Sequence, residues 1–225
     1  TTIRQHTLGN FKQMVRDITL DYGMLRYLNG YLNTATAPDE NYGRELQELF
    51  TLGKGPDSKY TEGDVKEAAK VLTGWRVNGA NYTTFFDPTR HSTANKQFSS
   101  FYNNTIITGR TGATAGDLEL NDLLNMIFAQ NEVAKFLVRK FYRWFVYYDI
   151  DAATEANVIT PLADIFRSSN YDIKPVLTTL FKSEHFFDIA NQGCVIKTPM
   201  DVVIGSMREF EVNMPLATDW DTNYG

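Results

Sequence analysis

The chain has 225 residues, 43% of them hydrophobic, with 15 Phe, 12 Tyr and a formal net charge of -5. This suits one large or two small packed domains and argues against a disordered chain. The acidic balance lacks the clustered Lys and Arg that neutralise phosphates, so nucleic acid is not an expected partner. The single cysteine, Cys194, rules out an intrachain disulfide framework and reads as a lone buried thiol.

In chain order, helical spacing comes first. Phe11, Met14, Val15, Ile18, Met24, Leu25 and Leu28 recur three and four apart, predicting one helix over residues 10–29 that stops at Asn29-Gly30. Pro38, Asp39 and Glu40 read as a first helical turn, and the helix they open runs to Leu52 and Gly53. A loop follows around Gly55-Pro56-Asp57-Ser58. Thr61 and Asp64 form a capping-box pattern before the stripe Val65, Ala68, Ala69, Leu72 and Trp75.

Between residues 74 and 116 charges thin out and Asn, Thr, Gly and aromatics rise. Trp75–Val77, Tyr82–Phe86 and Thr105–Thr108 are β-type runs, and Asn78-Gly79 is a hairpin-turn signal. Helices resume at Asp117, filled by Leu118, Leu120, Leu123, Leu124, Ile127 and Phe128. A second starts at a capping Asn131 and has Val133, Phe136, Leu137, Phe141, Trp144, Phe145 and Tyr148 on its inner face. Further helices surround Leu162, follow Pro175, and open at Pro199. The predicted fold is therefore mainly α, a multi-helix globular bundle with a small β-ribbon or long ordered loop at residues 74–116. It forms a single helical domain over 1–212 with a polar tail at 213–225. No apolar run reaches the 18 or so residues of a membrane-spanning helix. The start, Thr1-Thr2-Ile3-Arg4, lacks both an initiator Met and a signal-peptide pattern, so the chain reads as cleaved or truncated.

Three constellations could carry chemistry. Glu45 and Glu48 are i, i+3 neighbours beside Asn41 and Arg44. Converging carboxylates there suit a divalent cation or acid–base work, whereas Arg44 pairing with Glu48 gives only a solvated face. Asp87 and His91, four apart on a loop, suit metal ligation or an acid–base pair, or else an Asx-turn and an exposed imidazole. Lys135, Arg139 and Arg143 make a basic stripe that receives an anion or pairs with acidic neighbours. The acidic run Asp149-Ile150-Asp151 lacks the glycine and loop length of an EF-hand.

Several strings together resemble a widespread bacterial family known as domain of unknown function 1800. They are Glu40–Leu46 running into Glu48–Gly53, Tyr60–Val65, Leu72-Thr73-Gly74-Trp75, Phe86-Asp87-Pro88 with His91, Gly109-Arg110, and Lys197-Thr198-Pro199. The resemblance implies the C-terminal portion of a member, a further N-terminal helical region as partner, an extracytoplasmic (periplasmic or secreted) setting, and a sulfatase-like partner protein. It implies no established activity. The family often has His where this chain has Phe50, which weakens a metal-enzyme reading.

Three functions follow as expectations. One is a metal- or acid/base-type hydrolase-like site with Glu45, Glu48 and His91 as catalytic candidates. Its divalent metal would sit on Glu45, Glu48, Asp87 and His91, with Asn41, Asp64, Trp75, Arg110, Arg139 and Lys197 binding. The second is a non-enzymatic binding or assembly protein, for glycan or partner protein, using the aromatics Trp75, Tyr82, Phe85, Phe86, Phe98, Phe101 and Tyr102. The third is a buried ionic network of Glu45, Glu48, Asp64, Asp87 and Lys197 that locks the helices to the irregular segment.

Overall fold

The computed structural model describes residues 2–213. Helix α1 (Thr2–His6) leads into α2 (Phe11–Thr19) and α3 (Tyr22–Tyr27). The single helix predicted over 10–29 is thus split. Asp21 explains the break: its side chain accepts the Gly23 and Met24 amides and caps a new helix. Asn10 caps α2 in the same way through the Gln13 amide.

Pro38, Asp39 and Glu40 precede the next helix rather than opening it. Helix α4 (Asn41–Glu45) begins where the Asp39 carboxylate accepts the Asn41 amide at 2.8 Å. It widens at once into a π-turn, Leu46–Thr51, in which the Leu52 amide reaches back five residues to the Gln47 carbonyl at 2.8 Å. The extra residue rotates the face that was predicted to be apolar. Tyr42 and Leu46 are buried and Phe50 is half-buried, while Leu49 turns out to solvent and Gln47 and Thr51 turn in.

Helix α5 (Glu62–Val71) carries the expected capping box, with Thr61 and Asp64 bonded reciprocally. The irregular segment then holds two small antiparallel ribbons. Strands β1 (Trp75–Asn78) and β2 (Thr83–Phe86) pair Trp75 with Phe86. Strands β3 (Lys96–Gln97) and β4 (Ile106–Ile107) pair Lys96 with Ile107. Gly74, with φ +91, turns the chain from α5 into β1, and a Cβ there would sit 2.9 Å from the Asp87 carbonyl oxygen.

Helices α6 (Ala115–Phe128) and α7 (Asn131–Phe145) follow, then the one-turn α8 (Ala152–Thr154), a π-turn at Glu155–Ile159, α9 (Thr160–Ser168), α10 (Ile173–Lys182), α11 (Glu184–Phe187) and α12 (Pro199–Glu209). The core joins residues of α2, α4 to α7, α9, α10 and the irregular segment, with Leu46, Leu120, Leu123, Ile127 and Phe166 fully buried. The fold is mainly α with a small β insertion, as the periodicity predicts.

Four further apolar assignments are corrected. Trp144, Phe145 and Tyr148 are exposed, because the inner face of α7 is set by Val133, Ala134, Leu137, Val138 and Tyr142. Leu118 is exposed and Glu119 occupies the buried place beside it. Asn131 is the first helical residue rather than the cap, and its side-chain oxygen accepts from Arg167. Cys194 is half-buried rather than buried, its thiol directed at the Ala190 carbonyl. No helix among the described residues is long and apolar enough to cross a membrane. Most of the predicted tail, residues 214–225, lies outside the described residues.

Candidate functional site

The irregular segment is fastened to the helices by three buried polar clusters. The first centres on Glu119 of α6, whose side chain has 0% exposure. Its Oε2 accepts from the equally buried Lys96 Nζ at 2.5 Å, and its Oε1 from the Arg110 backbone amide at 2.7 Å. Lys96 also donates to the Ser92 carbonyl at 2.5 Å. His91 Nε2 lies 3.1 Å from Glu119 Oε1, off the line of a hydrogen bond. On the other side of the ring, Nδ1 is 2.9 Å from the Thr73 carbonyl oxygen, to which it can only donate.

Electrostatics in this cluster are opposed. Burial pushes the Glu119 carboxyl up, but His91, Lys96 and the Arg110 amide together outweigh it and hold the group below the usual carboxylate range. Burial lowers Lys96 more than Glu119 raises it. The arrangement binds charge within itself.

In the second cluster Asp64 does two jobs. Its Oδ2 accepts the Thr61 amide at 2.7 Å within the capping box, and its Oδ1 accepts the Ser99 amide at 2.7 Å across 35 residues of chain. The Ser99 hydroxyl adds a third bond at 2.7 Å. The third cluster links the π-turn to the insertion: Tyr102 donates to Gln47 Oε1 at 2.6 Å, and Gln47 Nε2 donates to the Gly43 carbonyl at 3.0 Å. Burial raises the Tyr102 hydroxyl well above the ordinary phenol range.

The structure therefore separates the residues that spacing singled out. Glu48 pairs with Lys54 at 2.8 Å, and Arg44 with Glu62 and Glu40 instead of Glu48. Glu45 is half-buried, with Oε2 shielded and without a hydrogen-bond partner. Asn41 is exposed at the start of α4. Asp87 makes the Asx-turn, accepting from the Thr89 amide at 3.0 Å, and lies 3.4 Å from Arg90. His91 is buried, not exposed. Among the described residues no three His, Cys, Asp or Glu side chains converge as a metal site requires. The metal set Glu45, Glu48, Asp87 and His91 is thus not assembled. Trp75 is core, its ring 5.2 Å from that of Phe86. Arg110 pairs with Asp122 at 2.7 Å. Lys197 is exposed just before α12.

Arg139 belongs to a separate group. It donates to both oxygens of Glu155, at 2.9 and 2.7 Å, and to Glu132 at 2.5 Å; of the rest of the basic stripe, Lys135 lies 3.7 Å from Glu155 and Arg143 donates to the Tyr148 carbonyl. Of the seven aromatics in the insertion, only Tyr82 and Phe85 are exposed. Spacing missed Lys96, Glu119, Gln47 and Ser99, and offered Tyr102 only as a surface aromatic, whereas it is fully buried against Gln47. One signal was present: Glu119 stands four residues before Leu123 on the apolar side of α6, a place for a paired charge.

A family model described as a protein of unknown function (DUF1800) matches residues 1–224. No curated protein and no solved structure matches the chain.

Proposed function

Because the chain belongs to the DUF1800 family along its length, and that family transfers no activity, we propose that it is a binding and assembly module, a helical body that presents helix α12 to a second helical surface. The observation that carries this is α12. Met200, Val203, Ile204, Met207 and Phe210 fall at i, i+3, i+4, i+7 and i+10, one apolar stripe. Thr198 and Asp201 cap the helix with a full capping box, yet α12 has no buried residue. An isolated helix of this length is marginal in water, and stability comes from packing the apolar face. Burying such a side chain contributes about 1.5–3 kcal/mol at most, so the stripe holds several kcal/mol of unused burial.

The occupant we propose is the further helical region of the same protein that the family resemblance implies, received in helix-on-helix fashion. The sulfatase-like partner and the extracytoplasmic setting rest on that resemblance alone. The polar residues of the motif strings support a structural role, since Asp64 and His91 are both committed to partners inside the body. A hydrolase-like site on Glu45 and Glu48 has one observation behind it, the unpartnered Glu45 oxygen.

Hydrogen exchange on the protein as the cell makes it tests the reading. The amides of Val202–Glu209 are expected to be protected at the level of the core helices and to lose that protection in Val203→Asp. Exchange at unprotected rates in the unmodified protein overturns the proposal. Protection that appears only on adding the sulfatase-like protein, or only as self-association at rising concentration, replaces the proposed occupant.

A further inference from the structure

A cleft of about 400 Å³ opens between α2, the π-turn at Leu46–Thr51 and α7. Met14 and Ile18 of α2, Leu49 and Phe50 of the π-turn, and Lys140 and Phe141 of α7 line it. Among the described residues of the lining, Lys140 alone carries a charge. The Tyr42 hydroxyl, which also belongs to a lining residue, is spent on Thr19 at 2.7 Å. Clefts of this size, with apolar walls and few polar groups, are the usual form of a small-molecule site.

The π-turn shapes the cleft and its charge together, and such turns recur at functional sites. The turn leaves Leu49 half exposed at the rim, and the Leu49 carbonyl accepts from Lys140 Nζ at 2.7 Å. The Phe136 ring lies under the same ammonium, its centre 4.5 Å from Nζ. Lys140 is thus held at the cleft by a backbone oxygen and an aromatic face. Two of its three N–H donors remain for a ligand, and it makes no ion pair among the described residues.

A fixed cation beside an apolar trough is complementary to an anion carried on an alkyl chain. A helix, about 10–12 Å across with its side chains, is too wide to enter a cleft of about 400 Å³. A neutral chain would leave the ammonium without a counter-charge. We propose that this cleft binds a medium-chain fatty acid, with the carboxylate on Lys140 and the alkyl chain along Met14, Ile18, Leu49, Phe50 and Phe141. No residue of α12 lines it, so the site stands whether or not α12 is covered.

The test is calorimetric titration of the full chain with octanoate, decanoate and the neutral octyl glucoside, each below its micelle concentration. Saturable one-to-one binding of both acids is expected. Octanoate is expected to bind roughly tenfold more weakly than decanoate, since each buried methylene contributes about three- to fourfold in affinity. It is expected to bind more tightly than octyl glucoside, which has the same chain without the charge. Lys140→Gln keeps a donor for the Leu49 carbonyl. It is expected to weaken both acids roughly three- to tenfold, the scale of a charge-assisted hydrogen bond at a partly exposed site, and to leave octyl glucoside unchanged. The glucoside therefore reports an intact cleft in the variant. Three results overturn the proposal: no saturable binding of either acid, octyl glucoside binding as tightly as octanoate, or Lys140→Gln changing the acids no more than the glucoside.

Discussion

Glu119 is the residue on which the insertion hangs, and its chemistry makes a sharp prediction. Glu119→Gln removes the counter-charge of a fully buried Lys96. Breaking a buried pair from one side costs about 3–5 kcal/mol, because an uncompensated charge is left behind. Chemical denaturation is expected to show that loss. The double change Lys96→Met with Glu119→Leu is expected to recover most of it, since no buried charge remains. The carboxyl is held below its ordinary value of 4.5, so its contribution is present above that pH and fades as pH falls through the folded value. Thermal melts of the parent protein are expected to drop on acidification below 4.5, with a shallower drop in the double variant. Tyr171 works at the other end of the scale. Burial pushes its hydroxyl up to about 12 while it donates to the Phe128 carbonyl at 2.6 Å. Its contribution is complete below the unfolded value of 10 and is lost as pH rises through about 12.

Secondary-structure elements place these side chains, and their ends matter more than their middles. Asp64 closes the capping box of α5 and clamps the Ser99 amide. Asp64→Ala loses a cap worth about 0.5–2 kcal/mol and leaves a backbone N–H unsatisfied at about 1–3 kcal/mol more. The equivalent box at α12 clamps nothing further, so Asp201→Ala is expected to cost no more than the cap alone. Unfolding curves of the two variants measure the difference. Gly74→Ala puts a Cβ at φ +91 against the Asp87 carbonyl and is expected to cost about 1–3 kcal/mol by the same measurement. The capping box at Thr61, the hairpin and the buried stripe of α5 were readable locally. The π-turn at Leu46–Thr51 was not, because the Thr51 side chain and its bond to the Leu46 carbonyl at 2.6 Å draw on a buried environment that no local period reveals.

At the scale of the whole molecule, body and arm behave differently. The body packs around Leu120, Leu123 and Ile127, whereas α12 buries nothing. Val203→Asp with Ile204→Asp is therefore expected to leave the melting of the body within about 0.5 kcal/mol of the parent, as for surface changes generally. The same pair is expected to abolish association through α12. Calorimetry reads the first outcome and hydrogen exchange in the native protein reads the second.

The sequence alone determined the helical class, the position of the irregular segment, the capping box at Thr61 and the family, because these depend on residues within a turn or two of each other. Tertiary structure decided which polar residues have partners. Glu119 meets Lys96 from 23 residues away and Asp64 meets Ser99 from 35. Whether a charge is buried and paired depends on which segments the core draws together, and spacing along one helix carries no record of that. Glu45 and Glu48 stand three residues apart and looked like a site, yet Glu48 pairs with Lys54 and Glu45 is half-buried on its own. Lys96 stood out in no pattern and proved to be fully enclosed.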